Sequence, residues 1–192
     1  EDGHGYNVAI GYRALKLLNA GANAYNVAIG YDAGVSISTG TNNVILGGLA
    51  GDALTTGTYN VAIGYGAFGG GTTYGRVVAI GSGALATENN TSAYSYNVAI
   101  GYDAGNDITT GHSNTLIGGL AGDALTDGNS NVALGYQTLT SETRGDRNVA
   151  IGYLALAVQN NTSDVDVYNT AVGYSAGNQI STGVENTLIG GL

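Results

Sequence analysis

The stretch Gly173-Tyr174-Ser175-Ala176-Gly177 has the spacing of a nucleophile elbow, in which a serine on a sharp strand-to-helix turn attacks an acyl carbon. Such a serine needs an imidazole to take its proton. His4 and His112 are the only two in the chain, and neither has a carboxylate at a repeated distance. Equivalent stretches carry Asp32 and Asp103 where Ser175 stands, so the motif arises from recurring glycines rather than from catalytic chemistry. Gly64-Tyr65-Gly66-Ala67-Phe68-Gly69 has the glycine spacing of a dinucleotide-binding loop, but no helical pattern follows to point an N-terminus at a pyrophosphate. No catalytic residue and no bound cofactor is expected, and the chain is read as a non-enzyme.

Two other chemistries leave weaker traces. Gly47 to Leu54 and Gly118 to Leu125 partly match a glycine-rich calcium-binding nonapeptide, which makes Asp52 and Asp123 calcium candidates. The second glycine is misplaced, and these aspartates recur only every four repeats, so no acid is expected in the adjacent repeat to share an ion. Asn89, Asn90, Asn160 and Asn161 each head a glycosylation triplet.

What must position all of these residues is a repeat. Asn, Val or Thr, a small or aliphatic residue, Ile or Leu, Gly and usually Tyr recur from Asn7, Asn26, Asn43, Asn60, Val77, Asn97, Asn114, Asn131, Asn148, Asn169 and Asn186. The spacings are 19, 17, 17, 17, 20, 17, 17, 17, 21 and 17, and these starts define coils one to eleven, with position zero at each first residue. A near-fixed period of this length, with β-branched runs punctuated by glycine, predicts a solenoid whose coils bury their apolar side chains only by stacking. Long helices are excluded by 34 glycines in 192 residues.

The fold expected is therefore all-β: a parallel β-solenoid of about eleven 17-residue coils, one segment over 1–192, read as part of a longer fibre. Like residues would form ladders up the stack. The polar ladder is Asn26, Asn43, Asn60, Asn97, Asn114, Asn131 and Asn148; the aliphatic one, expected to be the spine, is Ile29, Leu46, Ile63, Ile100 and Ile117. An Ala recurs at position seven, and Ile37, Leu54, Ile108, Leu125 and Ile180 open a second apolar stretch at position eleven.

Each long coil begins a group of four. In coils three, seven and eleven the position-five Tyr becomes Gly48, Gly119 or Gly191, while the position-two Ala becomes Ile45, Leu116 or Leu188. This exchange of volume suggests that positions two and five share one packed surface, opposite position three. Tyr31, Tyr65, Tyr102, Ile45, Leu116 and Leu188 are then candidates for an interface between chains, because a strand apolar on both faces is buried on both.

Tyr25-Asn26-Val27-Ala28-Ile29-Gly30-Tyr31-Asp32-Ala33-Gly34 resembles the head repeats of trimeric autotransporter adhesins and, more closely, the Asn-Thr-Ala-Ile-Gly repeats of bacteriophage tail-fibre and related surface proteins. The resemblance spans essentially the whole chain, although adhesin-head coils are shorter, at about 14 residues. It implies a left-handed parallel β-roll assembled as a trimer, on a cell surface or a virion.

Composition limits the partners. The net charge is -9 with only five Lys and Arg, so nucleic acid and anionic lipid are not attracted. No apolar run approaches the roughly 20 residues of a bilayer-spanning helix. Cys and Pro are absent and 43% of residues are hydrophobic, which excludes disulfides, collagen and disorder. The expectation is a structural rod segment of an extracellular filament or tail fibre, self-associating laterally, with the trimer favoured, and end to end. The alternative is an adhesin for surface glycans, or an ice-binding array.

Overall fold

In the computed structural model, which describes residues 5–90 and 94–192, the chain is all-β and winds into a solenoid. Each coil contributes one three-residue strand, from Val8–Ile10 in coil one to Thr187–Ile189 in coil eleven. The eleven strands form a single parallel sheet in chain order, each paired with the coil before and after it. Register is strict: Ile29 pairs with Leu46 and Leu46 with Ile63, and like positions face each other through every later coil. No helix among the described residues is long and apolar enough to cross a membrane.

The strands are short because glycine ends each one. Position-four glycines adopt φ between +125° and +146°, which side chains rarely tolerate. They also lie against the next coil: a Cβ on Gly101 would stand 2.4 Å from the Gly118 carbonyl oxygen. The backbone then turns through left-handed residues at positions six and eight, such as Asp103 and Leu85, and again just before position zero, as at Tyr59. Non-glycine residues in this region cost roughly 1–2 kcal/mol each, which the coil-to-coil bonds must offset.

The interior corrects the expected assignment of faces. Position two points inward, so Ala28, Ile45, Ala62 and Leu116 are fully buried, with position-seven alanines and position-eleven Ile37, Leu54, Ile108 and Leu125. Ile45 and Leu116 are therefore core residues and not contacts for another chain; Leu188 packs partly buried against the same core. Position three is the outward one: Ile29 is 36% exposed and Leu134 43%. The ladder Ile29, Leu46, Ile63, Ile100 and Ile117 exists in register, yet it runs along the outside of the rod, while the buried spine is built from positions two, seven, eight and eleven.

Volume is exchanged between positions two and eight rather than between two and five. In coils three and seven, with Ile45 and Leu116 at position two, position eight is glycine, Gly51 and Gly122. A Cβ on Gly122 would lie 3.0 Å from Leu116 Cδ2, and one on Gly51 would lie 3.1 Å from Ile45 Cδ1. In coils one, four, five, eight and nine, where position two is Ala, position eight supplies Leu15, Phe68, Leu85, Leu139 or Leu156; in coils two, six and ten both positions are small, and the neighbouring coils' Leu15, Leu85, Leu116, Leu156 and Leu188 approach Gly34, Gly105 and Gly177 instead. Both side chains reach the same interior volume, and close packing admits only one of them.

Pairing between coils is kept on both sides of the longer stretches in coils five and nine. Gly75 bridges to Tyr94, and Gly145–Asp146 pairs in parallel with Val165–Asp166, so pairing resumes after each insertion.

Candidate functional site

The repeated chemistry of the chain lies along the rod axis. At position zero the backbone N–H of Asn43 donates to Asn26 Oδ1 at 2.9 Å, that of Asn60 to Asn43 Oδ1 at 3.0 Å, and that of Asn131 to Asn114 Oδ1 at 2.9 Å. Each amide also closes its own coil: Nδ2 of Asn26, Asn114 and Asn131 donates to the carbonyls of Gly40, Gly128 and Gly145 at 2.8, 2.8 and 2.9 Å. A buried Asn is tolerated where both halves of its amide are used; Asn148 differs, with Nδ2 donating to Asn131 Oδ1 at 3.1 Å and its own Oδ1 buried without a partner among the described residues.

The ladder changes partners at the long coils, where residues unremarked in the sequence take over. Val77 of coil five has no amide, so the Asn97 N–H turns to Ser95 Oγ and Asn97 Nδ2 donates to Glu88 Oε1 at 2.9 Å. After coil nine, Asn169 Nδ2 donates to Gln159 Oε1 at 2.7 Å. Glu88 and Gln159 both stand at position eleven, as does Glu142, and all three are fully buried. Glu142 receives six bonds, from the N–H groups of Thr143, Arg144, Gly145 and Asn161 and from the side chains of Gln159 and Asn161.

Glu88 is less well served. Ser95 and Asn97 both donate to Oε1, while Oε2 is buried with no partner among the described residues. Burial pushes its pKa up to about 7 against the pull of those two bonds. Burial and the Glu88 charge hold the neighbouring Tyr74 hydroxyl far above the ordinary phenol range.

The acidic surface differs from expectation in one respect. Asp103 and Asp107 of coil six lie close enough to Asp123 of coil seven to help raise its pKa, and Asp32 does the same for Asp52, so acids do occur in the adjacent coil. Desolvation is the larger cause in both cases. Asp123 accepts from Thr140 Oγ1 at 2.5 Å. Among the described residues, no three His, Asp or Glu side chains converge on a volume that would hold a metal ion.

The motif residues are dispersed. Ser175 is buried and His112 is exposed four coils away, its Nδ1 3.2 Å from Ser113 Oγ, while His4 lies outside the described residues. Asn90 and Asn161 are buried, with side-chain amides donating to Thr110 O and Glu142 Oε2; Asn89 is exposed and Asn160 half-buried.

The outside of the sheet carries the most continuous surface. Position one presents mainly Val and position three mainly Ile or Leu, flanked by tyrosines at position five and just before position zero. Tyr31, Tyr65 and Tyr102 are more than half exposed. Tyr12 and Tyr31 stack at 5.5 Å, Tyr136 and Tyr153 at 5.8 Å, and Tyr153 and Tyr174 at 5.2 Å, all within 15° of parallel. The second column includes Tyr6 on Tyr25 at 5.2 Å and then changes to cation–π contacts, with Arg76 5.7 Å from the Tyr96 centroid, and 3.8 Å from that of Tyr94 beside the column, and Arg147 5.6 Å from that of Tyr168.

No family model, curated protein or solved structure matches the chain.

Proposed function

We propose that the chain is a non-catalytic, rod-forming structural segment of an extracellular fibre, borne on a cell surface or a virion and associating laterally with its own kind. The observation that carries this reading is the unbroken in-register sheet of eleven strands, which at about 4.8 Å per coil makes a rod roughly 50 Å long. Three sets of bonds run along it: the strand ladder, the Asn amides inside, and Ser or Thr hydroxyls at position twelve. Among the last, Thr55 Oγ1 donates to Thr72 O and Thr126 Oγ1 to Thr143 O. Bending such a rod would stretch several bonds in every coil at once. The resemblance of the repeats to fibre and adhesin-head repeats supports the surface location.

Two features weigh against the binding alternatives. Stacked tyrosine rings turn their faces toward one another, leaving edges and hydroxyls outward, whereas sugars are held on exposed ring faces. The position-twelve hydroxyls are already bonded to carbonyls, so they do not form a free array for ice. Immunogold labelling of the source cells or virions tests the proposal: label along filament shafts is expected, and label confined to the cell interior would overturn it.

A further inference from the structure

We propose that the outer sheet face is the contact surface for a second copy of this chain, and that two copies meet on it face to face about a two-fold axis. The proposal deepens the fibre reading by saying how rods lie side by side, and it replaces the three-fold assembly that the resemblance implies.

Size is the first argument. Eleven strands at about 4.8 Å span roughly 50 Å, and the six residue steps between the flanking columns span at most about 20 Å, or at most about 1,000 Å² per copy. Pairing two such faces would bury up to about 2,000 Å², which reaches the roughly 1,200–2,000 Å² of a stable interface and exceeds the few hundred Å² of apolar patch that a monomer leaves exposed.

Charge selects the partner. Across the four columns of all eleven coils, only Arg76, Arg147 and Glu185 are charged, although the chain carries -9 overall. Asp52, Asp103, Asp107, Asp123 and Asp127 lie outside those columns. Meeting through this face, two copies keep their acidic sides apart; meeting through any other, they would bring like charges together.

Period selects it further. The partly exposed Val and Ile rows form ridges at the coil spacing, and a second copy has ridges of the same spacing that mesh along the whole length. A three-fold ring needs two different contact patches on each chain, whereas one apolar face is covered completely by its own copy in an isologous pair.

The test uses the absence of native cysteine. With Ile100→Cys, at the middle of the outer face, a short bismaleimide is expected to link two chains, while Thr56→Cys on an exposed turn is not linked. Light scattering on the unmodified chain should give twice 19.2 kDa at micromolar concentration. Ile100→Glu should give the single-chain mass with an unchanged circular dichroism spectrum. A monomeric or trimeric unmodified chain, or an Ile100→Cys protein that is not linked, would overturn the pairing. A monomer that still labels along fibre shafts would sink the pairing alone and leave the rod reading intact.

Discussion

Glu88 is an acid in a place built for aliphatic groups. Its pKa of about 7 in the folded rod lies above the ordinary 4.5 of the unfolded chain, so folding favours the protonated form. Stability is therefore full below about pH 4.5 and falls by about 3 kcal/mol as the pH rises through 7. Urea unfolding at a series of pH values should show this fall, and Glu88→Gln should lack it; equal slopes for the two proteins would contradict the placement. The upward shifts of Asp52, Asp123 and Asp146 act in the same direction but are common to both proteins. The Asn ladder gives a second expectation. Asn114→Ala leaves the Asn131 N–H and the Gly128 carbonyl buried without partners, at a cost of about 2–4 kcal/mol in denaturant unfolding. Asn7→Ala, in the more exposed first coil, should cost less than about 1 kcal/mol. The Asn positions were legible because ten of eleven coils repeat them. Glu88, Glu142 and Gln159 were not, since each occupies a slot held mostly by Ile or Leu in the other coils, and a polar or acidic side chain ordinarily signals solvent.

Within a coil, the packing rule is that positions two and eight compete for one interior volume. Leu116→Ala should cost about 3 kcal/mol by leaving a cavity. Adding Gly122→Leu recreates the pattern of coil one, where Ala9, Leu15 and Leu18 occur together, and position eight already has the same backbone, φ 56° at Gly122 and 50° at Leu15. The double variant should recover at least half of the loss in thermal unfolding, and no recovery would refute the rule. Sequence alone pointed to an exchange of volume but chose the wrong partner. Position five changes in the same coils as position two, and the text of the repeat cannot show that a left-handed turn at position six separates them. The same blindness inverted positions two and three: alternation says that they face opposite ways, while Ala opposite Ile suggests that Ile is the core residue. Here the narrow coil interior favours the small one, and the larger aliphatics at positions eight and eleven fill the rest.

For the whole molecule, the period was enough to give the architecture, because a repeat that cannot bury its own apolar side chains must stack. The long coils were also legible as such from their spacing, and in coils five and nine pairing with the preceding coil is found after the longer stretch, at Tyr94 and Val165–Asp166. The outer surface was harder to read, since Tyr, Val and Ile carry the same letters whether they face a core or a partner. The central claim is that rise along the axis is constant from coil to coil, and three exposed threonines at position thirteen test it: Thr39 in coil two, Thr110 in coil six and Thr182 in coil ten. Pairs of spin labels on cysteines at these sites, diluted in unlabelled chain, should give electron–electron distances of about 19 Å for Thr39–Thr110, about 19 Å for Thr110–Thr182 and about 38 Å for Thr39–Thr182. Two unequal spans, or a long span that is not their sum, would contradict the solenoid.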